Sequence, residues 1–178
     1  MKKIAIIGAG PAGIEAASIL AKNGHAVQLF EKSANTLSNI LDKAYLFPDF
    51  SPAQELADKL NAKLLHDNIK LTCNTEIVDV KKEGDEFKLV DKDGKTYIAD
   101  SVLITTGYTL FDAHRKEELG YGIYKGVITS LDLERMIKHK QISTFIGELP
   151  KRVVFLQCVG SRDEKSRSEE HTSELQSQ

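Results

Sequence analysis

Gly8-Ala9-Gly10-Pro11-Ala12-Gly13 is the stretch that decides the fold. It is a G-x-G-x-x-G turn, and its flanks say what it connects. Before it, Ile4, Ala5, Ile6 and Ile7 form an unbroken apolar run, as expected of a strand buried on both faces. After it, Ile14, Ala17, Leu20 and Ala21 recur at helical spacing. That spacing predicts a helix from Gly13 to about Asn23, where Asn23-Gly24 stops it. Residues 26–30 then read as a second strand, so the whole is a βαβ unit. In such a unit Gly8 permits the tight turn off the strand. Gly10 lets a pyrophosphate reach the backbone, and Gly13 lets the helix pack close. The helix N-terminus offers N–H groups and a positive dipole end to phosphates. Glu31 follows the second strand, about 20 residues on, where a carboxylate accepts hydrogen bonds from ribose hydroxyls and disfavours a 2′-phosphate. The expectation is a dinucleotide site.

Working outward, Leu46-Phe47-Pro48-Asp49-Phe50 is non-helical around its proline. Ser51-Pro52 is expected to cap a helix whose apolar face is Leu56, Leu60, Leu64 and Leu65. Short strands are expected over 69–73, 76–81, 86–91 and 96–99, with Asp93-Gly94 as a hairpin turn. Residues 102–104 form another apolar strand, closed by Thr105-Thr106-Gly107. The sum is an α/β class, a Rossmann-like parallel sheet with a small β-meander. Further on, 132–138 reads as a short helix and 152–157 (Arg-Val-Val-Phe-Leu-Gln) as a buried-type strand.

The chain has 178 residues, with 24 Lys+Arg against 26 Asp+Glu, 41% hydrophobic and 28% charged residues. That composition suits a globular domain. The charge balance argues against a nucleic-acid partner bound through a basic face. No apolar run approaches the roughly 18 residues of a membrane span, so no membrane partner and a cytoplasmic location are expected. Two cysteines, Cys73 and Cys158, cannot build a disulfide framework. His25, His66, His114 and His139 show no metal or triad spacing and are expected to be solvated surface residues.

Three stretches carry a resemblance. They are Phe111-Asp112-Ala113-His114-Arg115-Lys116-Glu117-Glu118-Leu119-Gly120-Tyr121-Gly122, Val127-Ile128-Thr129-Ser130-Leu131-Asp132-Leu133-Glu134, and Val153-Val154-Phe155-Leu156-Gln157-Cys158-Val159-Gly160-Ser161-Arg162-Asp163-Glu164. With the glycine turn and the meander, they resemble the iron–sulfur flavoprotein component of CoB–CoM heterodisulfide reductase and its bacterial homologues. Those proteins lie within the flavoproteins that bind two dinucleotides. The resemblance covers about Lys3 to Lys165. It implies FAD as the cofactor and flavin-mediated electron transfer to or from iron–sulfur clusters. It also implies other electron-transfer subunits as partners. The cofactor-binding set it implies is Gly8, Ala9, Gly10, Pro11, Ala12, Gly13, Glu31, Lys32, Ile77, Thr106 and Gly107. The backbone around Glu76-Ile77-Val78 would meet the adenine, and Thr106-Gly107 would pass near the flavin dinucleotide. Cys158 matches the first ligand of a [4Fe-4S] cluster in the parent protein; one cysteine cannot hold such a cluster. Two departures stand out. Thr105 occupies the place of an alanine, and Leu37-Ser38 stands near a usual Gly-Gly pair.

Arg167-Ser168-Glu169-Glu170-His171-Thr172-Ser173-Glu174-Leu175-Gln176-Ser177 matches the translation of a sequencing-library adapter. Residues 166–178 are therefore expected to be an artefactual disordered tail. Setting aside Arg167–Gln178, with its one arginine and three glutamates, leaves equal numbers of basic and acidic residues. The expected organisation is an incomplete FAD-binding domain over 1–150, the start of a second, cluster-bearing domain over 151–165, and the tail. A chain cut in that way is not expected to be catalytically competent. Two other readings stay open: an NAD(P)H-dependent flavin disulfide reductase-like enzyme, and a non-catalytic dinucleotide-binding module.

Overall fold

A computed structural model describes residues 1–142 and 149–160. The adapter-like tail lies outside the described residues. The chain divides into two compact units, Met1–Tyr108 and Thr109–Gln178.

The first unit is built on a parallel sheet. Strands β1 (Lys3–Ile7) and β2 (Ala26–Phe30) flank helix α1 (Pro11–Lys22), giving the expected βαβ unit. The helix begins at Pro11, two residues before the expected start. Proline is suited to the first helical position because the N–H it lacks would have no intrahelical acceptor there. The chain continues through a one-turn helix α2 (Ser38–Leu41) and a two-residue hairpin, β3 (Tyr45–Leu46) with β4 (Ser51–Pro52). Helix α3 (Ala53–Ala62) follows. Ser51 does not cap it: Pro52 occupies the cap position and no side chain bonds the first turn. Strand β5 (Ile69–Thr72) returns to the parallel sheet. Strands β6 (Ile77–Glu83), β7 (Glu86–Asp91) and β8 (Thr96–Ala99) form the expected antiparallel meander, and β9 (Ser101–Ile104) closes the parallel sheet in the order β5-β2-β1-β9.

Strand alternation sorts the core into two layers. Ile4 and Ile6 of β1, with Val27 and Leu29 of β2, meet Ile14, Ala17 and Ala21 of α1 and Ala57 and Leu60 of α3. The opposite face, Ala5 and Phe30, meets Leu89 and Ala99 of the meander. The parallel sheet thus lies between helices and meander. The Phe30 ring, 1% exposed, meets Tyr97 edge-on at 4.7 Å. Burying a ring of that kind contributes about 1.5–3 kcal/mol. The turn from β7 to β8 is organised by buried Asp91. Its Oδ1 accepts the N–H groups of Asp93 (3.1 Å) and Lys95 (2.8 Å), and its Oδ2 accepts the Tyr97 hydroxyl at 2.9 Å.

The second unit carries two single 3₁₀ turns, Ala113–Arg115 and Glu117–Leu119, and helix α4 (Ser130–Lys138). Thr129 and Asp132 form a reciprocal capping box at the start of α4. One expectation fails here. Residues 152–157 are neither a strand nor buried: Val154 is 91% and Phe155 73% exposed. An apolar run becomes a strand only when a neighbour pairs its N–H and C=O groups, and among the described residues none does so. No helix among the described residues is long and apolar enough to cross a membrane.

Candidate functional site

The parallel register aligns the carboxyl ends of the central strands, with Ile7 opposite both Phe30 and Ile104, and Phe30 opposite Thr72. Gly8, Glu31, Cys73 and Thr105 therefore start the loops at one edge of the sheet. From β1 the chain goes to β2 on one side, while β9 lies on the other. That reversal opens the crevice where parallel α/β sheets bind ligands.

The glycine turn shows three different demands. Gly8 has φ +107, and a side chain there would strike the Thr105 carbonyl. A side chain at Gly13 would strike the Gly8 carbonyl and come within 2.8 Å of the Thr105 hydroxyl. At Gly10 nothing lies within 4 Å of where a side chain would begin. Gly10 caps α1 without a side-chain bond, Pro11 brings no N–H, and the first turn holds no acidic residue. The first turn of a helix has N–H groups without intrahelical acceptors. The open face at Gly10 thus joins an uncompensated positive helix end, a cradle that fits a pyrophosphate.

Glu31 is tied to this turn. Its Oε2 accepts the Ala9 N–H at 2.8 Å and its Oε1 accepts the Ser33 N–H at 2.9 Å. The Ala9 carbonyl accepts the Leu37 N–H at 3.1 Å. Each carboxylate oxygen keeps further acceptor capacity, which suits a pair of ribose hydroxyls. Lys32 beside it is exposed. The Glu31 carbonyl accepts the Thr75 N–H at 2.8 Å, which brings the start of β6 alongside. The Ile77 side chain packs on the meander core, and its neighbour Val78 is 59% exposed. Thr106 and Gly107 are exposed after β9, and Gly107 has φ +71. The structure therefore brings the glycine turn, Glu31, Lys32, the Ile77 segment and Thr106-Gly107 to one end of one unit.

Thr105 is not among the expected site residues. Its single hydroxyl proton is shared between the carbonyls of Gly8 (2.9 Å) and Ile7 (3.1 Å). The departure from alanine is the only sequence signal for it.

Elsewhere, burial and the nearby Glu31 carboxylate push the Cys73 thiol up, which keeps it protonated. Cys158 is exposed in the second unit. Among the described residues no group of three or more His, Cys, Asp or Glu could hold a metal ion. With two cysteines in 178 residues, a four-thiolate cluster does not fit within this chain. Of His25, His66, His114 and His139, the last two are exposed as expected, and the first two are less solvated than expected. His25 and His66 are half-buried, and their Nδ1 atoms accept the N–H groups of Lys2 (3.3 Å) and Asn68 (3.1 Å). His114 is exposed and pairs with Asp112 at 2.9 Å, and its side-chain and backbone hydrogen bonds hold the Asp112 carboxyl below the usual carboxylate range.

Comparison with known proteins agrees with this geometry. The family model described as pyridine nucleotide-disulphide oxidoreductase matches residues 2–137. The chain is 38% identical over 112 residues to a subunit of the ferredoxin:CoB-CoM heterodisulfide reductase of Methanosarcina mazei, covering 60% of this chain and 13% of that protein. It is 51% identical over 71 residues to the iron-sulfur subunit of the CoB–CoM heterodisulfide reductase of Methanocaldococcus jannaschii, covering 36% of this chain and 11% of that protein. Among solved structures, L-proline dehydrogenase from P. horikoshii superposes with a TM-score of 0.53 at 28% identity, covering 60% of this chain and 22% of that one. The chain thus spans a small fraction of the length of the relatives it matches.

Proposed function

The chain belongs to the pyridine nucleotide-disulphide oxidoreductase family, and from that premise we propose that its glycine turn and Glu31 hold the ADP half of an FAD. It is a flavin oxidoreductase domain similar to the heterodisulfide reductase subunits it matches. The observation that carries the cofactor assignment is the open face of Gly10 at the start of α1, joined through Ala9 to the Glu31 carboxylate. One end fits a pyrophosphate and the other a ribose, and the two are held in register by a hydrogen bond.

When bound, FAD supplies the redox chemistry, exchanging electrons in pairs or singly. The chain's own residues bind and orient. The first-turn N–H groups of α1 would face the pyrophosphate. Glu31 would accept from the ribose hydroxyls and repel a 2′-phosphate. The backbone at Glu76-Ile77-Val78 would border the adenine, and Thr106-Gly107 would border the flavin side. Lys32, exposed beside Glu31, would lie at the rim.

In the parent protein, the reading is electron transfer between the flavin and iron–sulfur clusters. Cys158 would be one thiolate of a [4Fe-4S] cluster completed by residues outside this chain. The names of the relatives, which make each of them one subunit of a heterodisulfide reductase and one of them an iron-sulfur subunit, support partner subunits. Titrating the purified chain with FAD, with ADP and NAD as competitors, tests the assignment. FAD should bind, with its visible band perturbed, and ADP should compete. No FAD uptake overturns the reading, and preferential NAD binding points to a nicotinamide site instead.

A further inference from the structure

We propose that Thr105 is a positioning residue of the dinucleotide site, its hydroxyl fixing the Gly8 carbonyl and thereby the backbone of the Gly8–Gly13 turn. The inference rests on the cofactor reading above. Three segments meet at this hydroxyl. It lies 2.9 Å from the Gly8 oxygen and 3.1 Å from the Ile7 oxygen, and the Thr105 N–H also donates to the Ile7 carbonyl at 2.8 Å. The end of β9 is thereby pinned to the end of β1 and to the first residue of the turn. The Gly8 carbonyl and the Thr105 hydroxyl also bound the space beside Gly13, so they set how closely α1 approaches.

The chemistry follows from the direction of the peptide planes. Gly8 has no side chain and sits at φ +107, a backbone that other residues rarely share, so little intrinsic stiffness holds its carbonyl. The Thr105 hydroxyl supplies that stiffness from a β-branched side chain with restricted rotation. The Gly8 carbonyl shares its peptide plane with the Ala9 N–H, which Glu31 holds, so Thr105 and Glu31 grip the two sides of one peptide. The first peptide of the turn is then fixed before a ligand arrives, and binding costs less ordering of the loop. Thr105 acts through the backbone of Gly8 and need not touch the cofactor.

The experiment compares Thr105→Val, Thr105→Ala and Thr105→Ser in the full chain. It reads FAD affinity and, without ligand, the hydrogen exchange of the amides of Ala9, Gly10, Ala12 and Gly13. Losing one neutral hydrogen bond should weaken FAD binding about three- to tenfold in the Val and Ala variants. Thr105→Ser, which keeps the hydroxyl, should stay within about twofold of wild type. The turn amides should exchange faster in Val and Ala, with the amides of α3 unchanged as a control for global destabilisation. Equal FAD affinity and equal turn exchange in wild type and Thr105→Val overturn the assignment, and so does an equal loss in Val and Ser. If the wild-type chain binds no FAD, the cofactor reading itself fails and this one with it.

Discussion

The Glu31 carboxylate accepts the Ala9 N–H at 2.8 Å, so the residue proposed to read a ribose also holds the turn proposed to read a pyrophosphate. Glu31→Gln removes the charge and replaces one acceptor oxygen with a donor, which cannot accept from both Ala9 and Ser33. Hydrogen bonds to charged groups are worth about 1.5–3 kcal/mol, so FAD affinity should fall about tenfold or more. Fluorescence titration of the flavin reads this. Unchanged affinity would remove Glu31 from the site.

Gly10 and Gly13 should separate binding from folding. Nothing lies near the missing side chain of Gly10, so Gly10→Ala should leave the unfolding free energy within about 1 kcal/mol of wild type. The same methyl would occupy the proposed pyrophosphate cradle and should lower FAD affinity at least about tenfold. At Gly13 the methyl meets the Gly8 carbonyl and the Thr105 hydroxyl. Overpacking of that kind costs about 1–3 kcal/mol, so Gly13→Ala should unfold at lower urea. Equal effects of the two substitutions on stability would contradict the geometry.

Asp91 gives the meander an acid sensitivity. Burial alone would raise its carboxyl, but the Lys95 N–H, the Tyr97 hydroxyl and the Asp93 N–H outweigh that and lower it. A carboxyl lower in the folded than in the unfolded chain stabilises above the unfolded value, near 3.9, and stops doing so as pH falls through the folded value. The urea midpoint of wild type should therefore drop more steeply than that of Asp91→Asn as the pH is lowered below about 4. Parallel curves would rule out this role.

The capping box of α4 gives a local prediction in the second unit. Thr129 accepts the Asp132 N–H at 3.1 Å, and Asp132 accepts the Thr129 N–H at 2.9 Å and the Tyr121 hydroxyl at 3.0 Å. Thr129→Ala should destabilise α4 by about 1 kcal/mol, read as faster amide exchange in its first turn. The Tyr121 phenol is pushed up chiefly by its hydrogen bond to Asp132. Asp132→Asn should therefore lower its titration midpoint, measured by ultraviolet absorbance.

The βαβ unit was legible because each of its signals is local. The apolar run, the glycine spacing and the helical period all lie within some thirty residues, about the size of one such unit. The meander was legible for the same reason, since Asp93-Gly94 joins strands that alternate. Start and stop positions were less so: Pro11 as first helical residue and Pro52 in place of Ser51 at a cap depend on backbone direction. Individual hydrogen bonds between residues far apart in sequence were not legible. Nothing near Thr105 announces the Gly8 carbonyl, and nothing near Leu37 announces Ala9. Residues 152–157 misled because composition reports what a strand would like to bury, not whether a neighbouring strand is there to pair with it.

That last segment should govern how the chain behaves at high concentration. Val153, Val154, Phe155 and Leu156 are 60%, 91%, 73% and 64% exposed, with no proline or glycine among them. A short β-prone, uncharged run in that state is a template for the same run in another molecule. Purified and concentrated, the chain will associate through it, and adding salt will not disperse the aggregates because the contact is apolar. Phe155→Lys places a charge inside the run and should raise the concentration at which the chain stays monomeric in light scattering.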